Sequence, residues 1–196
     1  GVCVCGVDIN PDVVAKTNKG LLHIVEPDLG ELLSQAVTSG NLVASTTPTQ
    51  SDAYIIVVPT PFKDNHEPDI SYVESATQMI IPLLKKGDLY VIESTSPVGT
   101  TEKMTELIFA QRPELEGEIF IVIYELVHND RVIGGLDSIS AQKAADFYSH
   151  FVEGQLHLTN CRTAEMCKLV ENSSRDVQIA FANELSMICE KANINV

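Results

Sequence analysis

Residues 88–111, DLYVIESTSPVGTTEKMTELIFAQ, carry the pattern that sets the fold. LYVI is a continuous apolar run with no polar alternation, which suits a strand buried on both faces. TSPVGT follows as a loop of turn-forming residues, and residues 100–111 read as a helix. The order is strand, loop, helix. The same grammar extends in both directions along the chain.

Toward the N-terminus, AYIIVV (53–58) reads as a buried strand closed by PTP (59–61), and the polar stretch FKDNHEPD (62–69) as a loop. Asp69 then caps a helix running to about Lys85. Earlier, VCVCGV (2–7) is a short β-rich run. Asn10 is a plausible helix cap with Pro11 at the first helical position and Gly20 as the stop. A second helix is expected from about Asp28 to just before Gly40, and LVAST (42–46) as a strand. Toward the C-terminus, EIFIVIYELVHNDRVIGG (118–135) holds two β-like runs with no turn residue between them. SISAQKAADFYSHF (138–151) is an amphipathic helix and QLHLTN (155–160) a strand. From Arg162 onward the chain reads as one long helix, broken near Asn193.

Strands that alternate with helices and read as continuous apolar runs predict an α/β fold. The expected architecture is Rossmann-like, a mostly parallel sheet with helices on both faces. A helix as long as the one from Arg162, leaving a sheet domain, commonly leads to a second, helical domain. The expected division is residues 1–160 for the sheet domain and 161–196 for the start of the second.

Composition narrows the function. The chain has 196 residues, is 44% hydrophobic and 20% charged, and carries a formal net charge of −14. That charge argues against sequence-independent binding to nucleic-acid phosphates, which relies on clustered Lys and Arg. It leaves room for one small phosphate ligand held by local donors. No apolar run approaches the roughly 20 residues of a membrane span, and GVCVCGVDIN lacks the basic start and cleavage site of a signal peptide. The five cysteines, Cys3, Cys5, Cys161, Cys167 and Cys189, form no C-x-x-C. Cys3 and Cys5 share one strand face and read as core. The odd count favours a reducing cytoplasm, and no ligand spacing suggests a metal. His23, His66, His128, His150 and His157 show no useful pairing and read as surface or structural.

Ligands of α/β sheets bind beyond the carboxyl ends of the strands. Asp8, Thr60 and Thr95 each follow such an end. Each is equally readable as a turn or cap residue. An acid after the second strand of a dinucleotide fold accepts hydrogen bonds from the adenosine ribose and repels a 2′-phosphate, which would make Asp8 select NAD over NADP. The glycine fingerprint expected about 20 residues before it does not precede it in this sequence.

On the long helix, Lys168, Asn172 and Arg175 stand at i, i+4 and i+7 and share one face. Two readings are open. Glu171–Arg175 and Glu165–Lys168 have the spacing of surface ion pairs, and a solvated face would look like this. Alternatively, an ammonium, an amide and a guanidinium in a row are donors aimed at an anionic ligand.

Taken in order, GVDIN, HIVEPDL, VPTPF…EPD, YVESA, ESTSPVGTTEKM, ELVHNDRVIGG and RTAEMCKLVENSSRDVQIAFANELS resemble the UDP-glucose/GDP-mannose dehydrogenase family over nearly the whole chain. The resemblance implies an NAD-dependent, four-electron oxidation of the C6 alcohol of a nucleotide sugar to a uronate, for cell-surface polysaccharide. The spelling around Lys168 and NDRVIGG favours UDP-N-acetyl-D-mannosamine as the UDP-sugar, with UDP-glucose or another nucleotide sugar as the alternative. It implies that Lys168 and Asn172 stabilise charge on the sugar C6 oxygen. Arg175 binds the sugar or its phosphates, Asp8, Thr60 and Thr95 contact NAD, and Thr95 helps hold the hydrolytic water. It further implies a homodimer built through the long helix. Against the family pattern, the first strand and glycine loop would precede Gly1, and the nucleophilic cysteine would lie beyond Val196. A CPERV-type segment with a catalytic glutamate is missing near residues 121–123, where two segments read as joined. Ser174 stands where a phenylalanine is common.

Overall fold

A computed structural model describes residues 2–22, 24, 29–64, 67–127 and 130–195, with the side chains of 125–127 left aside. The chain divides into two compact units, Gly1–Ser51 and Asp52–Val196. His23, His66, His128 and the expected helix start at Asp28 lie outside the described residues.

The first unit contains β1 (Val4–Val7), α1 (Pro11–Thr17), α2 (Leu29–Thr38) and β2 (Leu42–Ser45). β1 and β2 pair in parallel from Val4↔Leu42 to Val7↔Ser45. α1 opens as expected: the Asn10 side chain accepts from the Asp12 N–H, and Pro11 takes the first helical position. The Asn18 side chain then clamps β2, donating to the Ala44 carbonyl at 2.9 Å and accepting its N–H at 2.7 Å. Cys3 is exposed and Cys5 half-buried, so this pair is not core. Cys3 precedes β1 and shares none of its ladder.

The second unit runs β3 (Ala53–Ile56), α3 (Ser71–Ile80), β4 (Leu89–Ile92), α4 (Thr100–Gln111), β5 (Phe120–Val127), β6 (Asp130–Gly135), α5 (Ser138–Tyr148), β7 (Leu156–Asn160) and α6 (Cys161–Lys191). The strands form one five-stranded sheet in the order β3-β4-β5-β6-β7. Pairing is parallel except between β5 and β6. The two β-like runs of 118–135 are this antiparallel pair, and the backbone passes through Ile121–Ile123 as regular strand in register with β4.

Side-chain alternation splits the central strands between two cores. Tyr90, Ile92, Ile121 and Ile123 face α3, α4 and the start of α6, where Val73, Met104, Ile108, Cys161 and Ala164 meet them. Val91, Val122, Tyr124 and Ile133 face α5 through Ala144, Ala145 and Tyr148. Both faces of β4 are covered, which is why LYVI reads as an unbroken apolar run.

Three boundaries depart from expectation. Ile55 is 41% exposed and Val57 69% exposed, so the AYIIVV run is not buried throughout, and the strand stops at Ile56. α3 ends at Ile80 and tightens into a 3₁₀ turn over Ile81–Leu83, because Pro82 cannot extend the α-helical ladder. Asp69 accepts the Ser71 N–H at 3.0 Å, but Ile70, one residue later, occupies the cap. The long helix ends at Lys191, and Asn193 adopts φ +55°, consistent with a break there.

Gly134 and Gly135 set how closely helices reach the sheet. A Cβ on Gly134 would lie 2.6 Å from the Ala164 Cβ and 2.9 Å from the Cys161 Cα. On Gly135 it would lie 2.5 Å from the Ala141 nitrogen. Only glycine lets α6 and α5 approach β6 this way. α6 therefore begins in the same compact unit as the sheet and packs on β5 and β6.

Candidate functional site

The site is built where the carboxyl end of β4 turns into α4, beneath the first half of α6. Ser94 is buried and staples the turn to the segment after β3. Its hydroxyl donates to the Val58 carbonyl at 2.8 Å and accepts the Val58 N–H at 2.8 Å. Thr60 lies two residues further on, half-buried. Ser96, also buried, donates its hydroxyl to the Ser94 carbonyl at 3.0 Å. Thr95 sits between these two fixed serines and is itself only half-buried.

α4 starts after Gly99, which adopts φ +98° and has no side chain to cap the helix. The cap comes from α6. Glu165, 0% exposed, accepts the Gly99 N–H at 2.7 Å on one oxygen; the other takes the Thr101 N–H at 2.8 Å and the Thr101 hydroxyl at 2.7 Å. A buried carboxylate is costly unless its oxygens are satisfied. Here they are, and the positive end of α4 adds a favourable field. On the surface, Arg162 of α6 pairs with Glu102 of α4 at 2.8 Å.

Cys161, Ala164, Glu165, Lys168, Asn172 and Arg175 stand at i, i+3, i+4, i+7, i+11 and i+14, so they line one face of α6. The first three are buried and the next two half-buried. The donor row thus continues the face by which α6 packs on the sheet. Asn172 donates to the Thr95 hydroxyl at 3.3 Å, and Arg175, exposed, donates to the Asn172 side-chain oxygen. Glu165 does not sit on a solvated face, so the surface-pair reading fails for it. The geometry brings Thr95, Lys168, Asn172 and Arg175 to one strand-end region.

Asp8 belongs to the first unit. It follows β1 directly, and its Oδ1 accepts the Asn10 N–H at 2.8 Å, a turn-stabilising bond. It therefore occupies the strand-end position and also shapes the loop.

Burial, followed by the nearby Glu165 and Glu102 carboxylates, pushes the Cys161 thiol up to about 12. Its Sγ donates to the Gly134 carbonyl at 3.3 Å. This cysteine is an inert packing group at neutral pH. His150 is exposed with Nδ1 2.7 Å from the Asp146 carbonyl, and His157 lies 3.6 Å from the Asp130 carboxylate. Among the described residues no group of three His, Cys, Asp or Glu could hold a metal ion, and no helix is long and apolar enough to cross a membrane. A groove of about 1090 Å³ runs along the neighbouring face of α6, lined by Val98, Val132, Arg162, Cys167, Glu171 and Arg175 among others.

Sequence reasoning passed over Ser94, Ser96 and Glu165. For Glu165 the signal was present. Its spacing from Cys161 and Ala164 places it on the apolar face, where a carboxylate demands a partner. The two serines carried no such signal, since hydroxyls after a strand are common in any turn.

The NAD binding domain of the UDP-glucose/GDP-mannose dehydrogenase family matches residues 1–152, and the central domain of that family matches residues 162–196. The chain is 52% identical to UDP-N-acetyl-D-mannosamine dehydrogenase of Escherichia coli (strain K12) over 212 residues, covering 98% of this chain and 50% of that protein. It is 50% identical to NDP-N-acetyl-D-galactosaminuronic acid dehydrogenase of Ralstonia nicotianae, with the same coverage of both. Among solved structures, the UDP-N-acetyl-mannosamine dehydrogenase of Staphylococcus aureus superposes with a TM-score of 0.85 at 41% identity, over 100% of this chain and 51% of that one. The chain spans about half the length of the curated relatives it matches.

Proposed function

The chain belongs to the UDP-glucose/GDP-mannose dehydrogenase family, and from that premise we propose that it is the dinucleotide-binding half of a nucleotide-sugar 6-dehydrogenase. The reaction converts the C6 alcohol of UDP-N-acetyl-D-mannosamine to the carboxylate, consuming one water and giving up four electrons. NAD supplies the acceptor, taking the electrons as two hydrides in succession.

The observation that carries this reading is the meeting of Thr95 with Asn172 at 3.3 Å, on the helix face that also presents Lys168. Negative charge grows on the C6 oxygen as the alcohol is oxidised and again as water adds. An ammonium and an amide fixed beside it stabilise that charge with little reorganisation. Lys168 is the cation in this role, with Asn172 as the neutral donor. Thr95 stands at the strand end, where its hydroxyl can orient a water or the carboxamide of the cofactor. Arg175, on the rim, suits a sugar hydroxyl or phosphate. In the first unit, Asp8 has the position and chemistry to accept ribose hydroxyls. Thr60 adds a hydroxyl after β3. These groups fit NAD, which needs hydroxyl and carboxylate contacts at strand ends. The first N–H groups of α4, by contrast, are engaged by Glu165 and so do not serve the pyrophosphate.

The experiment is to incubate the full-length protein with UDP-N-acetyl-D-mannosamine and NAD⁺ and follow NADH. Two NADH per sugar support the reading. Turnover of UDP-glucose or of the N-acetylgalactosamine analogue alone moves the substrate within the family, and no turnover of any nucleotide sugar removes the activity.

A second reading is a binding module without catalysis. It is favoured by one observation: the match to the Escherichia coli relative runs over 212 positions, more than the 196 residues of this chain. A relative with additional residues inside the matched region agrees with a segment missing near 121–123. Sequencing the transcript across that point separates the two readings. We also assign the protein to the cytoplasm, from its five free cysteines. A homodimer would form through the exposed apolar stripe Val170, Val177, Phe181 and Ile188 of α6.

A further inference from the structure

A helix beginning at the carboxyl end of a strand, capped by a glycine, offers bare N–H groups to an anion. α4 begins in this way, yet its Gly99 and Thr101 N–H groups are taken by a carboxylate belonging to the protein itself. Glu165 fills the place from within, with both oxygens engaged and none of its surface exposed. Seven residues further along α6, about 10 Å at the helical rise, Asn172 touches the same turn again at the Thr95 hydroxyl. α6 therefore holds residues 95–101 at two points, one at each end. From the sheet side the turn is held by Ser94, and Ser96 ties it internally through the Ser94 carbonyl. Gly134 lets the Glu165 end of the helix come close enough to β6 for this grip, since its missing Cβ is where Ala164 sits.

The geometry points to Glu165 as a positioning residue for the proposed reaction. Its carboxylate locks the 95–101 turn onto α6, so that the Thr95 hydroxyl stays within reach of the Asn172 amide, and it closes the start of α4 to phosphate groups of cofactor or substrate. The assignment rests on the reading under Proposed function for its effect on rate, and on the hydrogen bonds alone for its effect on the turn.

The test uses the full-length protein and the variants Glu165→Gln, Asn172→Ala and the double variant. Glutamine has the shape of glutamate but brings an NH₂ group, which meets the Gly99 or Thr101 N–H donor to donor. Glu165→Gln is expected to lower kcat by about 10- to 100-fold, the scale of a small misplacement of reacting groups, with KM for UDP-N-acetyl-D-mannosamine changed less than about twofold. The double variant is expected to be little slower than Asn172→Ala, because both changes uncouple the same pair. A folded Glu165→Gln protein with wild-type kcat, or losses that simply multiply, overturns the proposal. Should Glu165→Gln fail to fold, Thr101→Val, which removes only the hydroxyl donor, enters the same cycle and is judged by the same outcomes.

Hydrogen exchange provides an arm that needs no turnover. Segment 94–101 is expected to exchange faster in Glu165→Gln while α5 is unchanged. If the wild-type protein oxidises no nucleotide sugar, the proposed activity falls and this arm alone decides. Unchanged exchange at 94–101 then overturns the positioning role.

Discussion

The two halves of α6 invert the usual assignment of side chains. In the first half, Ala164 and Glu165 are both 0% exposed, so a carboxylate is buried beside the sheet. In the second half, Val177 and Phe181 are each 69% exposed, with Ile179, Leu185 and Ile188 also exposed. The difference lies in partners. Glu165 receives the hydrogen bonds that a glycine-capped helix needs, and each bond to a charged group is worth about 1.5–3 kcal/mol. Among the described residues Cys189 is buried near the end of the helix, but Val177, Ile179, Phe181, Leu185 and Ile188 stay exposed, and an exposed stripe of that kind suits an interaction face. What a residue touches, rather than its hydropathy, decides which side of this helix it occupies.

The largest effect is expected at Lys168, on the seated half. If that half presents its donor row to a reacting oxygen, Lys168→Ala in the full-length protein lowers kcat by about 10²–10³, the cost of one lost oxyanion donor. NAD⁺ affinity, measured by direct titration, stays near wild type. A variant with unaltered turnover would make the first half of α6 a packing element only, and the contrast between the halves would lose its functional side.

Next in size is Gly134→Ala, which attacks the seating itself. The new Cβ would lie 2.6 Å from the Ala164 Cβ and 2.7 Å from the Asn160 carbonyl oxygen. One of those atoms is backbone, so relief requires α6 to lift from β6. Overpacking of this kind costs about 3 kcal/mol, to be read as a lowered denaturation midpoint in urea. A midpoint equal to wild type would mean that the first half of the helix is not held against β6.

Much of this contrast is legible in the chain alone, and some is not. LYVI at 89–92 is apolar at every position because both faces of β4 are covered, so its strand and the helix after TSPVGT follow directly from pattern. Asn10 and Pro11 mark the start of α1 for the same local reason. AYIIVV misleads because a run of apolar letters does not say where a ladder stops, and Val57 lies beyond the end of β3. On the site side, the face shared by Lys168, Asn172 and Arg175 is a property of helical spacing and can be read directly. The contact of Asn172 with Thr95 is not, since it spans 77 positions and depends on Gly134 admitting the helix. The i, i+3 spacing of Glu165 and Lys168 is blind to the partner that another helix supplies to Glu165.

Two cysteines six residues apart sharpen the comparison further. Cys161 is buried with its thiol pushed up to about 12 by burial and by the Glu165 and Glu102 carboxylates, while Cys167 lines the groove. The thiolate is the reactive form, so at pH 8 buried Cys161, whose thiolate is disfavoured, is expected to alkylate at least about tenfold more slowly than Cys167 on the groove. Peptide mass mapping after iodoacetamide treatment gives the ratio. Folding favours the neutral Cys161 thiol. The stability this contributes is therefore present below the unfolded pKa near 9 and is lost as pH rises from there toward 12. Equal labelling of the two would place the start of α6 in solvent. In Gly134→Ala the ratio should collapse, because the lifted helix uncovers the thiol.

The smallest effect on the fold is expected at Phe181, in the exposed half. Phe181→Ser removes a large apolar side chain that is 69% exposed, and it leaves every hydrogen bond of the site in place. A surface change away from packed features alters unfolding free energy by no more than about 0.5 kcal/mol. If the stripe is covered by a second copy, the same substitution weakens self-association by about tenfold, since loss of a buried aromatic anchor costs more than about 1 kcal/mol. Sedimentation across a concentration series and urea denaturation at low concentration separate the two quantities. A variant that self-associates as wild type would leave Phe181 outside the interface. One that unfolds much more easily even as a monomer would show that the second half of α6 is packed within the chain after all, and that the two halves differ in less than their exposures imply.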